Sequence, residues 1–431
     1  MDISLIIPCY NEAPHLRQSV LDLCEILDAT AYDYEIVFVD DVSKDETRQV
    51  IEEICARTPR CRYIFHEQNR GRGGAFKTGF AATTGKVTGF LDIDLEVAAH
   101  YVLPLVNLVL HDGVDVATGD RHYLLSQTHA LVRTAVSWVY RGVVRASVAP
   151  GVKDSETGCK FFNRETCSKL VFESESDGWF WDSEVMARAV LAGLTIRELP
   201  VLFLRRWDKQ STVKLGNDIQ KYLFEIHKFR GKVGLSISGK SPIYWSGAGY
   251  DLVMAALYGE KLANIYAAAA AHVPDGASVV DLCCGTAQLY RRHLAARGCD
   301  YLGLDFNAQF VFGNRKHGIP SRFFNVLKDE IPAADYVTMV SSLYHFRANA
   351  DELLSRMLKA ARKGVIISEP VENWSSKPSV LGKAAAWLSN PGVGDYADRY
   401  DVSSFEALAK AHGAKIISAE GGRNALAVFE K

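Results

Sequence analysis

The sequence reads IIPCYNE at residues 6–12, VFVDDVSKD at residues 37–45 and FLDIDLE at residues 90–96. Each stretch begins as an apolar run and ends in polar residues, which is the pattern of a buried strand that stops at a turn. Helical stretches separate the runs, and this alternation indicates a parallel sheet covered by helices on both faces. Because ligands bind at the carboxyl ends of strands in such sheets, the polar residues of the three stretches are candidate site residues.

The same pattern continues along the chain and divides it in two. In the first half it predicts strands at Ile3–Ile7, Glu35–Val39, Arg62–His66, Val87–Asp92 and Val114–Thr118, followed by a helix over residues 217–230. In the second half it predicts a helix near Leu262–Ala271 and strands at Ser278–Cys283, Tyr301–Asp305, Tyr336–Ser341, Gly364–Ser368 and Ala425–Glu430. Residues 231–242 are rich in Gly, Ser and Lys, which is typical of a linker. We therefore predict two different α/β domains, over residues 1–230 and 243–431.

Composition narrows the class of protein. A chain of 431 residues with 48% hydrophobic and 23% charged residues has the material for two cores and is unlike a disordered protein. The net charge of −2 argues against a nucleic-acid partner. The nine cysteines show no zinc-type spacing, so we expect reduced thiols. No signal peptide and no apolar run of roughly 18–20 residues is evident. These features predict a cytoplasmic protein, with peripheral contact at the inner membrane face left open.

The third stretch carries three carboxylates at alternate positions. In an extended segment, Asp92, Asp94 and Glu96 point the same way, and they repel one another unless a cation lies among them. A hard divalent cation such as Mg²⁺ or Mn²⁺ suits these oxygen ligands and would neutralise a leaving diphosphate. The alternative is a solvated acidic strand end.

Further motifs accompany these three stretches in a fixed order. They are NRGRGGA at residues 69–75, GDRHY at residues 119–123, DSETGCK at residues 154–160 and ELP at residues 198–200, which leads into Arg205 and Arg206. Together they resemble the family-2 glycosyltransferases of the GT-A type. They are most similar to the polyprenyl-phosphate sugar synthases, such as the dolichyl-phosphate mannose synthases.

The resemblance implies a role for each candidate residue. Pro8, Tyr10, Glu12 and Asp41 would line the nucleoside pocket, and Arg72 and Ser211 would also bind the nucleotide sugar. The metal would be held by Asp92, Asp94 and Glu96. The phosphates would be reached by Arg121 and Arg206. The donor would be a UDP or GDP sugar, and the acceptor a polyprenyl phosphate. The sequence departs from the family at two places: Arg72 stands where lysine is usual, and the lysine expected directly after Ser211 is displaced to Lys214.

The acceptor decides the role of Asp182 in WFWDSE, residues 179–184. A hydroxyl acceptor must lose its proton in the transition state, and Asp182 is then the candidate general base. A phosphate acceptor is already ionised near neutral pH and needs only to be positioned, so Asp182 would then organise the site. In either case, direct displacement at the anomeric carbon predicts inversion.

One helix suggests contact with a membrane. Residues 129–149 place Arg133, Arg141 and Arg145 on one side and apolar residues, including Trp138, on the rest. Such a helix can lie on a membrane surface, and the resemblance places it beside the acceptor channel. The alternative is an ordinary core helix with a solvated arginine stripe.

In the second half, SVVDLCCGTA at residues 278–287 is a buried strand that runs into a glycine turn. Asp305 follows Asp281 at roughly the 20-residue spacing at which an acidic side chain binds ribose hydroxyls. The segment resembles the class I S-adenosylmethionine methyltransferases, which have a Rossmann-like fold. By that resemblance Asp281, Gly285 and Asp305 would bind the cofactor's amino acid and ribose, and Asn325 would lie near its adenine.

Two departures leave the activity of this half open. Cys283 and Ala287 stand where the family usually has glycine. Tyr344 and His345 follow the fourth strand, where the family often places substrate groups, and His345 is either a base for a hydroxyl or a structural histidine. The leading hypothesis is a bifunctional enzyme that transfers a sugar and methylates the product or a related substrate. The alternative is a glycosyltransferase acting on a soluble or hydroxyl acceptor, whose second domain is a scaffold or binding module.

Overall fold

The computed structural model describes residues 1–123, 142, 144, 148, 151–204, 215–235, 240–372, 390–392, 398–418 and 424–431. Within these residues, contacts divide the chain into one unit over residues 1–229 and another over residues 230–431. Each unit is built on a seven-stranded sheet. The α/β class predicted for both halves is confirmed.

The first sheet has the strand order β3-β2-β1-β4-β6-β5-β7. Its strands are β1 (Ile3–Cys9), β2 (Tyr34–Asp40), β3 (Cys61–Phe65), β4 (Val87–Leu91), β5 (Val116–Tyr123), β6 (Cys159–Asn163) and β7 (Ile196–Phe203). The helices that the structure describes here are α1 (Ala13–Asp28), α2 (Thr47–Arg57), α3 (Gly71–Ala82), α4 (Val102–Leu110), α5 (Arg164–Glu173), α6 (Trp181–Ala192) and α7 (Leu215–Lys232).

This sheet is mixed rather than wholly parallel as predicted. Strand β6 runs antiparallel to both of its neighbours, β4 and β5, while β1 pairs in parallel with β2 and β4. Strands β6 and β7 escaped prediction because β6 carries a lysine in an apolar run and β7 alternates without a long apolar stretch. The chain order reverses between β1 and β4, and at such a point the loops of adjacent strands part and leave room for a ligand.

An aromatic cluster packs two helices onto the first sheet. The ring of Phe76 on α3 lies 4.8 Å from that of Trp181, the first residue of α6, and 5.5 Å from that of Phe90 on β4. All three side chains are buried, and aromatic pairs of this kind stabilise the packing beyond what their buried area contributes. The cluster therefore holds the first turns of α3 and α6 beside the end of β4.

The second sheet has the strand order β10-β9-β8-β11-β12-β14-β13. Its strands are β8 (Ser278–Leu282), β9 (Asp300–Asp305), β10 (Ser321–Phe323), β11 (Ala334–Val340), β12 (Ala361–Pro370), β13 (Lys415–Ser418) and β14 (Asn424–Glu430). The helices described here are α8 (Gly247–Tyr258), α9 (Glu260–Ala270), α10 (Ala308–Lys316), α11 (Ala350–Ala360) and α12 (Val402–Ala411). Strand β14 is antiparallel to both β12 and β13 at one edge of this sheet.

In the segment predicted as a linker, Lys232 ends α7, Val233 and Leu235 are buried, and residues 236–239 lie outside the described part of the chain. Of the helix predicted over residues 129–149, only Gly142, Val144 and Val148 are described. Among described helices none is long and apolar enough to cross a membrane. The nine cysteines are free thiols.

Candidate functional site

The loops after β1 and β2 are joined at the carboxyl edge of the first sheet. The backbone N–H of Glu12 donates to Thr47 Oγ1 at 2.8 Å. Asn11 has a φ of 58°, a left-handed conformation that asparagine tolerates better than most side chains. Tyr10 is 37% exposed on the same loop. The structure thus brings Tyr10 and Glu12 to the edge predicted for a nucleoside, with Pro8 near the end of β1, and their binding role stays a prediction.

Asp41 holds the start of α3. Its Oδ1 accepts a hydrogen bond from the N–H of Arg70 at 2.8 Å, and its Oδ2 accepts one from the N–H of Gly71 at 2.7 Å. The N–H groups of Gly73 and Gly74 bond to a main-chain carbonyl at 2.8 and 3.2 Å. A carboxylate at a helix N-terminus satisfies N–H groups that have no partner within the helix. Asp41 therefore positions the helix that carries Arg72.

Four side chains form a chain of alternating charge beyond the end of β4. Arg72 lies 3.1 Å from Asp92 Oδ2 and 3.0 Å from Asp182 Oδ2, and Lys160 Nζ lies 2.5 Å from Asp182 Oδ1. Lys160 is fully buried and Asp182 is 2% exposed. Burial lowers the pKa of Lys160, and the charge of Asp182 opposes that shift. Each carboxylate oxygen of Asp182 therefore faces a cation.

Neighbouring groups leave this chain little freedom. The guanidinium carbon of Arg72 lies 4.4 Å from the centre of the Phe90 ring, within the range of a cation–π contact. A Cβ atom at Gly158 would lie 1.8 Å from Asp92 Oδ2, so any side chain at this position would displace the carboxylate. The arrangement depends on glycine at residue 158.

A second buried ion pair holds Arg121. Its Nε and one terminal nitrogen donate to the two oxygens of Asp154 at 2.6 and 2.8 Å, in the fork geometry that guanidinium and carboxylate share. Asp154 is fully buried, and its N–H donates to Glu198 Oε1 at 2.9 Å. The guanidinium is therefore oriented by the protein, while its contact with a substrate phosphate stays a prediction.

The alternation of Asp92, Asp94 and Glu96 predicts an extended segment after β4, but this segment is not extended. Strand β4 ends at Leu91, the N–H of Leu95 donates to the carbonyl of Asp92 at 3.2 Å, and Leu95 has a φ of 49°. Asp94 is buried, and its Oδ1 accepts from the N–H of Glu96 at 3.3 Å. The strand ends because this turn begins, so alternation cannot align the three carboxylates. No three His, Cys, Asp or Glu side chains of the described residues meet as a metal-binding set.

The DSETGCK motif at residues 154–160 contributes Asp154, Glu156 and Lys160, for which no role was predicted from the sequence. A signal was present, because Lys160 opens the run KFF within an apolar strand, and a lysine there must be paired if it is buried. Arg206 and Ser211 lie outside the described residues, as does Lys214.

In the second unit, Asp305 organises the glycine turn after β8. Its Oδ2 accepts from the N–H of Gly285 at 2.8 Å, and its Oδ1 accepts from the N–H of Asn307 at 2.7 Å. Burial raises the pKa of Asp305 to about 6, although these two hydrogen bonds oppose the shift. Each oxygen keeps a second lone pair, which is what a ligand with two neighbouring hydroxyls requires.

The two departures from glycine adopt the glycine conformation. Cys283 has a φ of 55° and Ala287 a φ of 54°, close to the 53° of Gly285. A left-handed conformation costs an L residue roughly 1–2 kcal/mol, which the surrounding fold must offset. The turn therefore keeps its shape despite the substitutions.

Asp281 lies beneath this turn on β8. Its two oxygens accept from the hydroxyls of Tyr301 and Thr338, each at 2.8 Å. Burial raises the pKa of Asp281 to about 6. Both hydrogen bonds come from neighbouring strands, so Asp281 ties β9 and β11 to the central strand.

A mainly apolar cavity of about 140 Å³ adjoins the turn. Its lining consists of Cys283, Leu304, Phe306, Phe324, Asn325, Val326, Leu327 and Phe346. Aromatic side chains with one amide are a suitable lining for a flat heterocycle. Asn325 belongs to this lining, and its contact with an adenine stays a prediction.

Tyr344 and His345 lie in the 3₁₀ turn Leu343–Asn349 after β11. The N–H of Tyr344 donates to Glu369 Oε1 at 3.3 Å, and the guanidinium of Arg399 lies 3.4 Å from the centre of the Tyr344 ring. Burial raises the pKa of Glu369 to about 8. The two candidate acceptor residues are thus adjacent, with ring centres 3.9 Å apart.

The sequence analysis missed the part of α8 that faces the glycine turn. Asp251 accepts from the hydroxyl of Thr286 at 2.6 Å and from the side-chain amide of Gln288 at 2.8 Å. The ring of Tyr250 would lie 3.9 Å from a Cβ atom at Gly285. The signal was a tyrosine and an aspartate side by side in a helix of apolar and small residues.

Comparisons with known proteins divide the chain in the same way. Residues 4–171 match the family described as glycosyl transferase family 2, and residues 254–419 match a methyltransferase domain. The glycosyltransferase AglD of Haloferax volcanii is 30% identical over 219 residues, which is 50% of this chain and 34% of that protein. The dolichyl-phosphate beta-glucosyltransferase of Saccharomyces cerevisiae is 28% identical over 219 residues, covering 46% of this chain and 66% of that protein. The chain thus spans about one third to two thirds of these relatives.

Solved structures cover the same part of the chain. The mannosyltransferase PcManGT from Pyrobaculum calidifontis, in complex with GDP-Man and Mn²⁺, is 19% identical with a TM-score of 0.36, covering 48% of this chain and 57% of its own. Glucosyl-3-phosphoglycerate synthase from Mycobacterium tuberculosis, in complex with Mn²⁺, UDP and glucosyl-3-phosphoglycerate, is 20% identical with a TM-score of 0.43. It covers 56% of this chain and 82% of its own.

Replacing Lys160 by methionine should strongly destabilise the first unit, because it leaves the buried carboxylate of Asp182 with one cation instead of two. Breaking a buried pair by removing one partner costs about 3–5 kcal/mol. Urea unfolding measures the loss. The matched control is Lys86→Met, since Lys86 pairs with Asp2 on the surface and its side chain is 72% exposed. Equal stability of the two variants would contradict the description of this pair.

Proposed function

The chain joins a family-2 glycosyltransferase domain to a methyltransferase domain, and from this architecture we propose a bifunctional enzyme. The first domain transfers a sugar, with inversion, from a UDP or GDP sugar to a polyprenyl phosphate. The second uses S-adenosylmethionine to methylate the product or a related substrate. Relatives that carry the name dolichyl-phosphate beta-glucosyltransferase support the acceptor class.

The environment of Asp182 carries the choice of acceptor. A general base needs an oxygen that can approach and take a proton, whereas both oxygens of Asp182 face the cations Lys160 and Arg72. A phosphate monoester has a second pKa of about 6 and needs no base near neutral pH. The geometry therefore favours a phosphate acceptor over a hydroxyl acceptor, with Asp182 as a positioning residue.

The proposed divalent metal would be bound at the acidic turn after β4 by protein carboxylates together with substrate phosphates. Mg²⁺ is commonly bound through one or two carboxylates together with substrate phosphates, so a complete set of protein ligands is not required. We propose that Asp92 and Asp94 supply these carboxylates, with Glu96 as a further predicted ligand. When bound, the metal would neutralise charge on the diphosphate.

The proposed transfer needs little chemistry from side chains. An oxygen of the acceptor phosphate attacks the anomeric carbon as the bond from that carbon to the diphosphate oxygen breaks, and attack from the opposite side inverts the configuration. Negative charge that develops on the leaving diphosphate is stabilised by preorganised cations. Arg121, fixed by Asp154, is the cation that the described residues offer for this purpose, and Arg206 is proposed from sequence.

In the second domain, Asp305 and the cavity beside Asn325 support cofactor binding. We propose that Asp305 accepts from the ribose hydroxyls, that the adenine occupies the apolar cavity, and that Asp281 and Gly285 form the floor for the cofactor's amino acid. The cofactor supplies an electrophilic methyl group. Tyr344 and His345 are the proposed acceptor contacts. The competing role, a binding module without catalysis, loses its main support because Cys283 and Ala287 already adopt the turn conformation.

Asp182→Asn should keep transfer to a polyprenyl phosphate within about tenfold of the wild-type kcat, because an asparagine still accepts a hydrogen bond from one of the two cations. Loss of a general base would instead lower the rate by about 10²–10⁴-fold. Steady-state transfer from UDP and GDP sugars measures the difference, with the exposed Asp112→Asn as control. A loss beyond a hundredfold in a folded variant would restore the hydroxyl-acceptor hypothesis.

Asp94→Ala should strongly weaken binding of the donor's diphosphate, because the proposed metal loses a ligand. Calorimetric titration with UDP and with GDP in Mn²⁺ measures this and also identifies the base. We expect one nucleotide to bind the wild type and the Asp112→Ala control, with binding at least tenfold weaker in Asp94→Ala and in wild type treated with EDTA. Binding that is unaffected by EDTA would refute the metal.

Asp305→Ala should weaken S-adenosylmethionine binding by at least about tenfold, since two charge-assisted hydrogen bonds, each about 1.5–3 kcal/mol, are lost. The control is Asp300→Ala, which alters an exposed carboxylate at the start of the same strand, β9. Calorimetry on the full chain measures both. If the wild type binds no cofactor, the binding-module hypothesis gains and the methylation proposal fails.

A further inference from the structure

Glu156 lies along the chain between residues of two buried ion pairs, Arg121–Asp154 and Lys160–Asp182. Two residues before Glu156, Asp154 accepts a hydrogen bond from Arg121. One residue after Glu156, the carbonyl of Thr157 accepts a hydrogen bond from Lys160. Lys160 in turn pairs with Asp182. The short loop that carries Glu156 is therefore fixed on both sides by residues of the proposed transfer site. Its side chain is only partly buried.

A row of hydroxyl groups orients the Glu156 carboxyl. Tyr222 on α7 lies with its hydroxyl 3.2 Å from Glu156 Oε1 and 2.5 Å from Ser183 Oγ, and Ser183 Oγ lies 2.9 Å from Ser155 Oγ. The Tyr222 hydroxyl is the donor in both of its contacts, to Glu156 Oε1 and to Ser183 Oγ. Oε1 of Glu156 is therefore an acceptor, so the proton of a neutral carboxyl would lie on Oε2.

Glu156 keeps that proton at neutral pH. Burial raises the pKa of Glu156 to about 8, and the negative charges of Asp182 and Asp154 add to this rise. The positive charges of Arg121 and Lys160 oppose it. Those four groups and Tyr222 are titratable or charged side chains near Glu156 among the described residues. A neutral carboxylic acid can donate a hydrogen bond, whereas its ionised form can only accept.

We propose that Glu156 binds the phosphate of the acceptor as a neutral acid, donating a hydrogen bond from Oε2 to a phosphate oxygen. This proposal rests on the proposed transfer to a phosphate acceptor. A phosphate that is doubly ionised above about pH 7 offers only acceptor oxygens, so it requires donors at its site. Ionised Glu156 would face it with a like charge beside Asp154 and Asp182. Acceptor binding should therefore weaken as the pH rises through the pKa of Glu156.

The test is the pH dependence of phosphate binding by the full chain. The probe is farnesyl phosphate, a short prenyl phosphate monoester, titrated calorimetrically in the presence of the bound nucleotide between pH 7 and 9.5. For the wild type we expect Kd to rise above about pH 8, by up to about tenfold per pH unit, because one proton is lost. Glu156→Gln is neutral at every pH and its amide donates, so its Kd should stay constant and be about tenfold lower than that of the wild type at pH 9.

Two further variants separate a binding role from a structural one. Tyr222→Phe removes the hydroxyl that orients Glu156, so it should raise Kd at pH 7 and keep the alkaline rise. Glu173→Gln changes an exposed glutamate at the end of α5 and should reproduce the wild-type profile. Parallel profiles for the wild type and Glu156→Gln, or a wild type with no rise above pH 8, would overturn the role of Glu156 and leave the acceptor class intact.

The source of the phosphate is distinguished by a second probe. Inorganic phosphate titrated under the same conditions should show the same alkaline rise with weaker binding, since it shares the phosphate and lacks the prenyl chain. If inorganic phosphate binds as tightly as farnesyl phosphate, the lipid part of the proposed function fails while the role of Glu156 is supported. If neither phosphate binds the wild type at any pH, both the acceptor class and the role of Glu156 are overturned.

Discussion

The carboxylate of Asp182 is the constraint on which the first site depends. It is almost completely buried, and a buried charge without partners is too costly for a fold of ordinary stability to keep. Lys160 and Arg72 meet that requirement from two different elements, so β6 and α3 cannot move independently of α6. The aromatic packing of Phe76 and Trp181 works in the same direction. Electrostatics and packing together fix the side chains around the end of β4.

This constraint also explains why the site tolerates so little variation nearby. Gly158 leaves room for Asp92, which pairs with the terminal nitrogen Nη1 of Arg72, and the loop that carries Glu156 lies directly before Gly158. Each charge in the row therefore has its position set by the next. In such a network the effect of one substitution spreads to several groups, and pairwise energies do not simply add.

The sequence predicted the class and most of the strands of both domains because apolar runs that end in polar turns depend on neighbouring residues alone. It missed β6, β7, β10 and β13. It also missed the direction of β6, since strand direction depends on partners that are distant along the chain. It named Asp182 and Arg72 separately, but it could not predict that they form an ion pair. It also could not predict that Lys160 pairs with the other oxygen of Asp182. The turn after Leu91 was missed because alternating Asp92, Asp94 and Glu96 mimic a strand.

In the second domain the shape of the glycine turn was harder to judge from residue types than from backbone angles. Cys283 and Ala287 looked like losses of function, yet both adopt the left-handed conformation that glycine favours. Asp305 accepts hydrogen bonds from Gly285 in this turn and from Asn307 after β9. Residue identity at a strained position is therefore a weaker guide to function than the hydrogen bonds that hold the position.

The way α3 begins has a consequence for how the donor must be held. In many nucleotide-binding folds the phosphates rest on the N–H groups that open a helix, where the helix dipole favours negative charge. Here the N–H groups of Arg70 and Gly71 are taken by Asp41, and those of Gly73 and Gly74 are taken by a carbonyl. The protein has supplied this helix with an anion of its own. The charge of the proposed diphosphate would then be met by side-chain cations and the proposed metal, so we expect the affinity for a donor to depend on ionic strength and on the metal supply.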